Sequence, residues 1–202
     1  MTIDFQQARH AMVEQQVRPW EVLDPRVLDT LMSVRREDFV PPRHRKLAFA
    51  DLPLPLEHGE VMMKPVVEGR MLQAMAITPG DDVLEVGTGS GFVTACLAAL
   101  ARDVTSIDLH ADFVERTRAR LVADSVTNVR IETADVFTWN PGRQFDAICI
   151  TGAVATDPDR FGAWLKPGGR LFVIHGQSPV QEALLITRHG DSFHRESLFE
   201  TD

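Results

Sequence analysis

The stretch VLEVGTGSG, Val83 to Gly91, joins an apolar run to three alternating glycines, with one acid, Glu85, inside the run. A buried strand that enters such a turn and leaves it as a helix presents the turn's amides at a helix N-terminus. Gly87 and Gly89 can take backbone angles closed to other residues and leave room for a ligand against the main chain. Thr88 and Ser90 belong to the same turn and are read with it as ligand contacts. No paired histidine and acid accompany Ser90, so a nucleophile role has no support. A GxGxG turn alone is shared by dinucleotide sites and tight structural turns. Glu85 separates the two: an anion at the cleft mouth repels a pyrophosphate and suits an ammonium or a sulfonium.

Two further acids fall at the ends of the next two apolar runs. DVTSIDL ends with Asp108 and Leu109, 21 residues beyond Gly87, where an acid accepts hydrogen bonds from both hydroxyls of a ribose. The run NVRIETA leads into Asp135 and Val136, placed to accept from an exocyclic adenine amine and to contact the ring through an amide. Glycine turn, first acid and second acid describe an adenosine with a cationic tail, and the cofactor expected is S-adenosyl-L-methionine. The competing reading makes these acids helix caps and solvated loop residues.

The elements that must position these residues alternate. DVLEVGT, DVTSIDL, NVRIETA, FDAICITG and GGRLFVIHG read as strands, and GFVTACLAALA and DFVERTRARLVAD as helices between them. That order predicts an α/β fold: a doubly wound, mostly parallel, Rossmann-like sheet with helices on both faces. QEALLITRHGDSFHRESLFE adds two strands joined at His189-Gly190-Asp191. Upstream, Phe5 to Val17 and the segment opened by Asp24-Pro25 read as helices, and a third begins at Pro65 and stops at ITPGD. REDFVPP and DLPLPLEHG are too rich in proline for interior elements and read as connections laid over the surface. The chain is expected to form one domain, with residues 1–64 as a helical extension and 65–202 as the ligand-binding core.

Bulk composition limits the alternatives. The formal charge of -8 speaks against nucleic acid or an anionic membrane as partner, and no apolar run is long enough to span a bilayer. The start, MTIDFQQARHAMVEQQ, lacks the signature of a secretory leader, and a cytoplasmic location is expected. Cys96 and Cys149 sit in apolar stretches and read as reduced core thiols, and the seven histidines show no metal-ligand spacing. Trp20, Trp139 and Trp164 read as packing residues, while His58 and His175 fall near element ends on the side of the turn.

The pairing of VLEVGTGSG with LKPGGRLFV resembles the S-adenosylmethionine-dependent methyltransferases. More narrowly, RVLDTLMSVRREDFVPP, AFADLPLP, HGEVMMKP and FDAICITGA resemble, in that order, blocks of the protein-L-isoaspartate O-methyltransferase family over nearly the whole chain. The resemblance implies a seven-stranded class I methyltransferase core, an N-terminal helical extension that closes over the cofactor, and methylation of a side-chain-like carboxylate on L-isoaspartyl residues in protein repair.

One segment departs from that pattern. Where the family carries a sequence like GQTISQP, this chain has Gly59, Glu60, Val61, Met62, Met63, Lys64 and Pro65, so Val61 and Met63 replace a threonine and the serine that helps hold the substrate carboxylate. Transfer of a methyl group to a carboxylate needs no general base, because the nucleophile is already ionised above a pKa of about 4. Loss of one hydroxyl therefore removes a positioning contact and leaves the chemistry intact. Met63 and Lys64 are the candidate catalytic residues: Met63 as a pocket wall, Lys64 as an ammonium offered to the acceptor or else as a solvated charge. The chain closes on FETD, 199–202, where the family continues into a segment that helps form the substrate cleft. Three readings follow: methylation of a protein or peptide carboxylate, methylation of a small-molecule acceptor by a divergent relative, or binding of the cofactor without transfer.

Overall fold

The computed structural model describes residues 3–201. The extension opens with α1 (Phe5–Met12), capped by Asp4, whose carboxylate accepts the Gln7 amide. The single helix predicted to Val17 is instead α-helical only to Met12 and widens into a π-helical turn over Val13–Val17. That turn places Val13 and Val17 in the core. α2 (Pro25–Ser33) starts as predicted, with Asp24 accepting the Arg26 amide at 2.9 Å and proline in the first turn, and buries Val27, Leu28 and Leu31. Two short strands, β1 (Leu54–Pro55) and β2 (Val61–Met62), pair antiparallel and form a strap that leads into α3 (Pro65–Met75).

The core follows as β3 (Asp82–Val86), α4 (Phe92–Leu100), β4 (Asp103–Asp108), α5 (Ala111–Ala123), β5 (Val129–Thr133), β6 (Phe145–Val154), β7 (Leu165–Gln177), β8 (Val180–His189) and β9 (Ser192–Thr201). One seven-stranded sheet runs β5-β4-β3-β6-β7-β8-β9; the first five of these are parallel and the last two antiparallel. The final hairpin turns at Gly190-Asp191, where Gly190 takes a φ of 61°. The chain leaves β3 toward β4 and β5, then returns to β6 on the other side of β3. This reversal opens a crevice at the carboxyl ends of β3, β4 and β6, where open α/β sheets bind ligands.

The two faces of the sheet are covered unequally. All five α-helices contribute to one continuous core with Val83, Val104, Ala147, Cys149 and Phe172. The other face, built on Leu84, Ile148, Ile150, Leu171 and Val173, is closed by a 3-10 helix, Pro158–Trp164, and by Trp139 from the loop after β5. Trp139 and Trp164 meet edge to face there at 5.8 Å, consistent with packing roles, whereas Trp20 is 56% exposed and packs no core. Both cysteines are buried and free.

The proline-rich connection REDFVPP is not a surface strip. Arg36 within it is fully buried: its guanidinium pairs with Glu68 of α3, lies over the Phe92 ring at 4.8 Å, and donates to the carbonyls of Ala48 at 2.8 Å and Met63 at 2.7 Å. Burial pushes the Glu68 carboxyl up to about 7, against the pull of Arg36. A charge this deep requires every donor to be occupied, and Arg36 thereby ties extension, strap and α3 into one unit.

Candidate active site

The glycine turn stands at the crevice. Gly87 has a φ of 97°, and a Cβ there would come within 2.4 Å of the Thr151 hydroxyl. That hydroxyl donates to the Gly87 carbonyl at 2.6 Å, so a side chain at position 87 would break the contact between β3 and β6. Gly91 caps α4 with a φ of 85°, and a Cβ there would meet Thr117 of α5 at 2.5 Å. The turn is therefore shaped by close approach of α5 and β6 as well as by the needs of a ligand.

Asp108 ends β4 and is nearly buried. Its two carboxylate oxygens accept the Gly89 amide at 2.9 Å and the His110 amide at 2.8 Å, which fixes the group against the turn and leaves further acceptor capacity on both oxygens. After β5, Asp135 accepts the Phe137 amide at 2.9 Å, so this carboxylate is also held in place. A cavity of about 550 Å³ runs between them, walled by Leu109, His110, Phe113, Val136 and Phe137 at one end and by the strap and the ends of β6 to β9 at the other. Met63, Lys64, Gly87, Gly89, Asp108, Leu109, Asp135 and Val136, all singled out in the sequence, line this one cleft.

Glu85, Thr88 and Ser90 do not. Glu85 is fully buried, not at the cleft mouth: its Oε2 accepts the hydroxyls of Thr94 at 2.5 Å and Ser106 at 2.6 Å, and its Oε1 has no partner. Burial pushes its carboxyl up to about 8, so it offers no counter-charge to a ligand at neutral pH. The reason lies in strand parity. Val83 and Glu85 share the face under α4, and successive side chains of a strand alternate. Thr88 is turned inward to Ser106 at 2.6 Å, and Ser90 accepts the Phe92 amide at 3.3 Å.

The site also holds residues that pattern reading missed. His110, Phe113 and Phe137 wall one end, and Thr151, Ser178, Gln181 and Thr201 contribute polar groups to the other. His110 stacks on His58 of the strap at 3.9 Å with rings 3° from parallel, while His58 Nε2 meets Asp112 at 2.8 Å and Glu57 meets Arg116 at 3.1 Å. These contacts latch the strap to α5 beside the Asp108 end. A histidine two residues after the strand-end acid was the available signal for His110; for Gln181 and Thr201, paired across the final hairpin, and for Ser178, in the turn between β7 and β8, none existed, because their proximity depends on nonlocal strand pairing. His58 and His175 do not line the cleft, and His175 instead meets the Val154 carbonyl at 2.9 Å. Among the described residues, no three histidine, cysteine, aspartate or glutamate side chains gather as a metal site.

Across the strand ends the order is Asp135 after β5, Asp108 at the end of β4 and the glycine turn after β3, all lining one cleft with an apolar wall. A Rossmann-like sheet carrying this site at its switch point is a methyltransferase of the S-adenosyl-L-methionine-dependent class. Residues 7–201 match the family model for protein-L-isoaspartate(D-aspartate) O-methyltransferase, and the chain belongs to that family. A protein-L-isoaspartate O-methyltransferase of Methylorubrum extorquens is 39% identical over 188 residues, covering 93% of this chain and 82% of the relative. One from Rhodopseudomonas palustris is 35% identical over 91% of this chain and 76% of its own length. The fold is shared with a Plasmodium falciparum chain assigned as a protein-L-isoaspartate O-methyltransferase and crystallised in complex with S-adenosyl-L-homocysteine. The TM-score is 0.83 at 18% identity, over all of this chain and 97% of that one.

Proposed function

We propose that the chain methylates the carboxylate of an L-isoaspartyl residue on a protein or peptide. The observation that carries this reading is the cleft itself. Its Asp108 end suits an adenosine, and past Gly87 it continues to a second compartment between Val61, Met63 and Lys64 on the strap and Ile174, Ser178 and Gln181 on the sheet. When bound, S-adenosyl-L-methionine supplies an electrophilic methyl group. Transfer of that methyl to the acceptor carboxylate would form a C–O bond as the C–S bond breaks with its electron pair left on sulfur, giving a neutral ester with no proton moved, so the chain would need no general base. The protein's task is to align two reactants and exclude water. Arg36 supports that task by holding the Met63 carbonyl, and the strap latch supports it by covering the cleft. Lys64, at the cleft wall, is the residue we assign to the acceptor's charge, with Met63 as apolar wall beside it. The formal charge of -8 favours a protein or peptide over a polyanion, and two free buried thiols suit a reducing cytoplasm.

The replacement of two family hydroxyls by Val61 and Met63 favours a second reading, a small apolar carboxylate as acceptor. Incubation with methyl-labelled cofactor and either an isoaspartyl peptide or its aspartyl counterpart decides between them. Base-labile label on the isoaspartyl peptide alone supports the first reading. Absence of label there, with tight binding of S-adenosyl-L-homocysteine, overturns it and leaves the small-molecule acceptor or a binding protein without transfer.

A further inference from the structure

The glycine turn is held from two sides. On the cleft side Asp108 takes the Gly89 amide. On the interior side a chain of hydroxyls runs from Thr88 through Ser106 to Glu85, with contacts of 2.6 Å at both steps, and Thr94 of α4 reaches the same Glu85 oxygen from above. Ser106 is the register partner of Glu85 on β4, so the chain lies across two strands of the sheet and cannot shift without breaking the ladder. Thr88 sits between the two glycines that line the cleft, and its carbonyl accepts the Gly91 amide at 2.8 Å, which closes the turn onto α4.

We propose that Glu85 is a positioning residue for the cofactor: its carboxyl sets the glycine turn from behind, through Ser106 and Thr88, and its charge takes no part in binding. Glu85 is fully buried beneath the turn and does not line the cleft, so it touches no ligand there, and a charge could act from its position only if the carboxyl were ionised. Its surroundings also oppose ionisation. The groups around it are Thr94 and Cys96 on α4, Ser106 and Asp108 on β4, and Cys149 on β6. Burial keeps both thiols protonated, and the charge that acts on Glu85 is the Asp108 carboxylate, of like sign. The Glu68 and Arg36 pair acts on Cys96, whereas the charge that acts on Glu85 is that of Asp108. A neutral carboxyl that accepts both hydroxyls through Oε2 leaves only an uncharged O–H, at Oε1, unpartnered, a smaller cost than half of a buried carboxylate.

Calorimetric titration with S-adenosyl-L-methionine and with S-adenosyl-L-homocysteine tests this, and because no acceptor is present its outcome is separable from the substrate reading. Glu85→Ala and Ser106→Ala weaken both ligands by roughly tenfold or more, the scale of a lost buried hydrogen bond. Glu85→Gln recovers most of the affinity lost in Glu85→Ala and leaves the ratio between the two ligands as in the parent chain. The ligand's own α-amino group titrates in both proteins, and the difference that reports Glu85 is a parent affinity that falls relative to that of Glu85→Gln as pH rises through about 8. If Glu85→Ala does not fold, Ser106→Ala carries the comparison. A loss in Glu85→Gln that is larger for the sulfonium ligand than for its neutral-sulfur product assigns Glu85 an ionic role and overturns the proposal, as does unaltered binding in Ser106→Ala.

Discussion

Arg36 donates to the backbone carbonyl of Met63 at 2.7 Å, so a fully buried cation from the N-terminal extension fixes a segment that lines the cleft. The same guanidinium satisfies Glu68 and the Ala48 carbonyl. Arg36→Met leaves a carboxylate and two carbonyls without a donor and is expected to cost about 3 to 5 kcal/mol in chemical denaturation. Arg36→Lys keeps the charge but not the fork; it should fold with a smaller loss and show a lower kcat, with cofactor affinity little altered. Equal stability of Arg36→Met and the parent chain would show that the clasp is not a structural anchor.

Asp108 accepts the Gly89 and His110 amides, and the proposed reading assigns it the ribose hydroxyls as well. Asp108→Asn turns one acceptor into a donor against those amides. A loss of about 1.5 to 3 kcal/mol in S-adenosyl-L-homocysteine binding is expected, roughly ten- to hundredfold in Kd. Titration calorimetry reads it, and an unchanged Kd would remove Asp108 from the cofactor site.

Lys64 and Met63, which line the cleft, are the residues proposed for the acceptor. On that proposal Lys64→Met is expected to lower kcat/KM for an acidic acceptor by roughly tenfold or more while the Kd for S-adenosyl-L-homocysteine stays within about twofold. Met63→Ser, which restores a hydroxyl at the family position, should raise transfer to an isoaspartyl peptide. Steady-state kinetics on both variants settles the assignment, and equal kcat/KM in all three proteins removes both residues from the reaction.

Glu85 gives a stability signature with a defined sign. Its folded-state carboxyl is raised from the ordinary 4.5 to about 8, so the native state holds a proton that the unfolded chain has released. Its contribution to stability is complete below about 4.5 and is lost as pH climbs through about 8. Thermal melts of the parent and Glu85→Gln at pH 5, 7 and 8.5 should therefore show the variant gaining relative to the parent as pH rises. A constant gap would mean that Glu85 is ionised throughout.

Much of the cleft is legible in the sequence. Gly87, Gly89, Asp108 and Asp135 share one cleft because strand ends in a parallel sheet converge, and strand, turn and helix are each marked by local pattern. Glu85 was misplaced, though its parity with Val83 and the hydroxyls at Ser106 and Thr94 were available signals. Arg36 was not legible, because a charged residue between prolines has the appearance of surface chain and only the tertiary partners Glu68, Ala48 and Met63 make it interior. Gln181 and Thr201 meet through the pairing of β8 with β9, and Ser178 is brought to them by the turn between β7 and β8, nonlocal registers that no single segment encodes.

The most direct test is a crystal structure with S-adenosyl-L-homocysteine bound. The account predicts both ribose hydroxyls within hydrogen-bond distance of Asp108, the adenine between Leu109 and Val136 with its amine toward Asp135, and the sulfur directed past Gly87 to Met63 and Lys64. A nucleoside bound elsewhere, or one whose ribose leaves Asp108 without a contact, would contradict it.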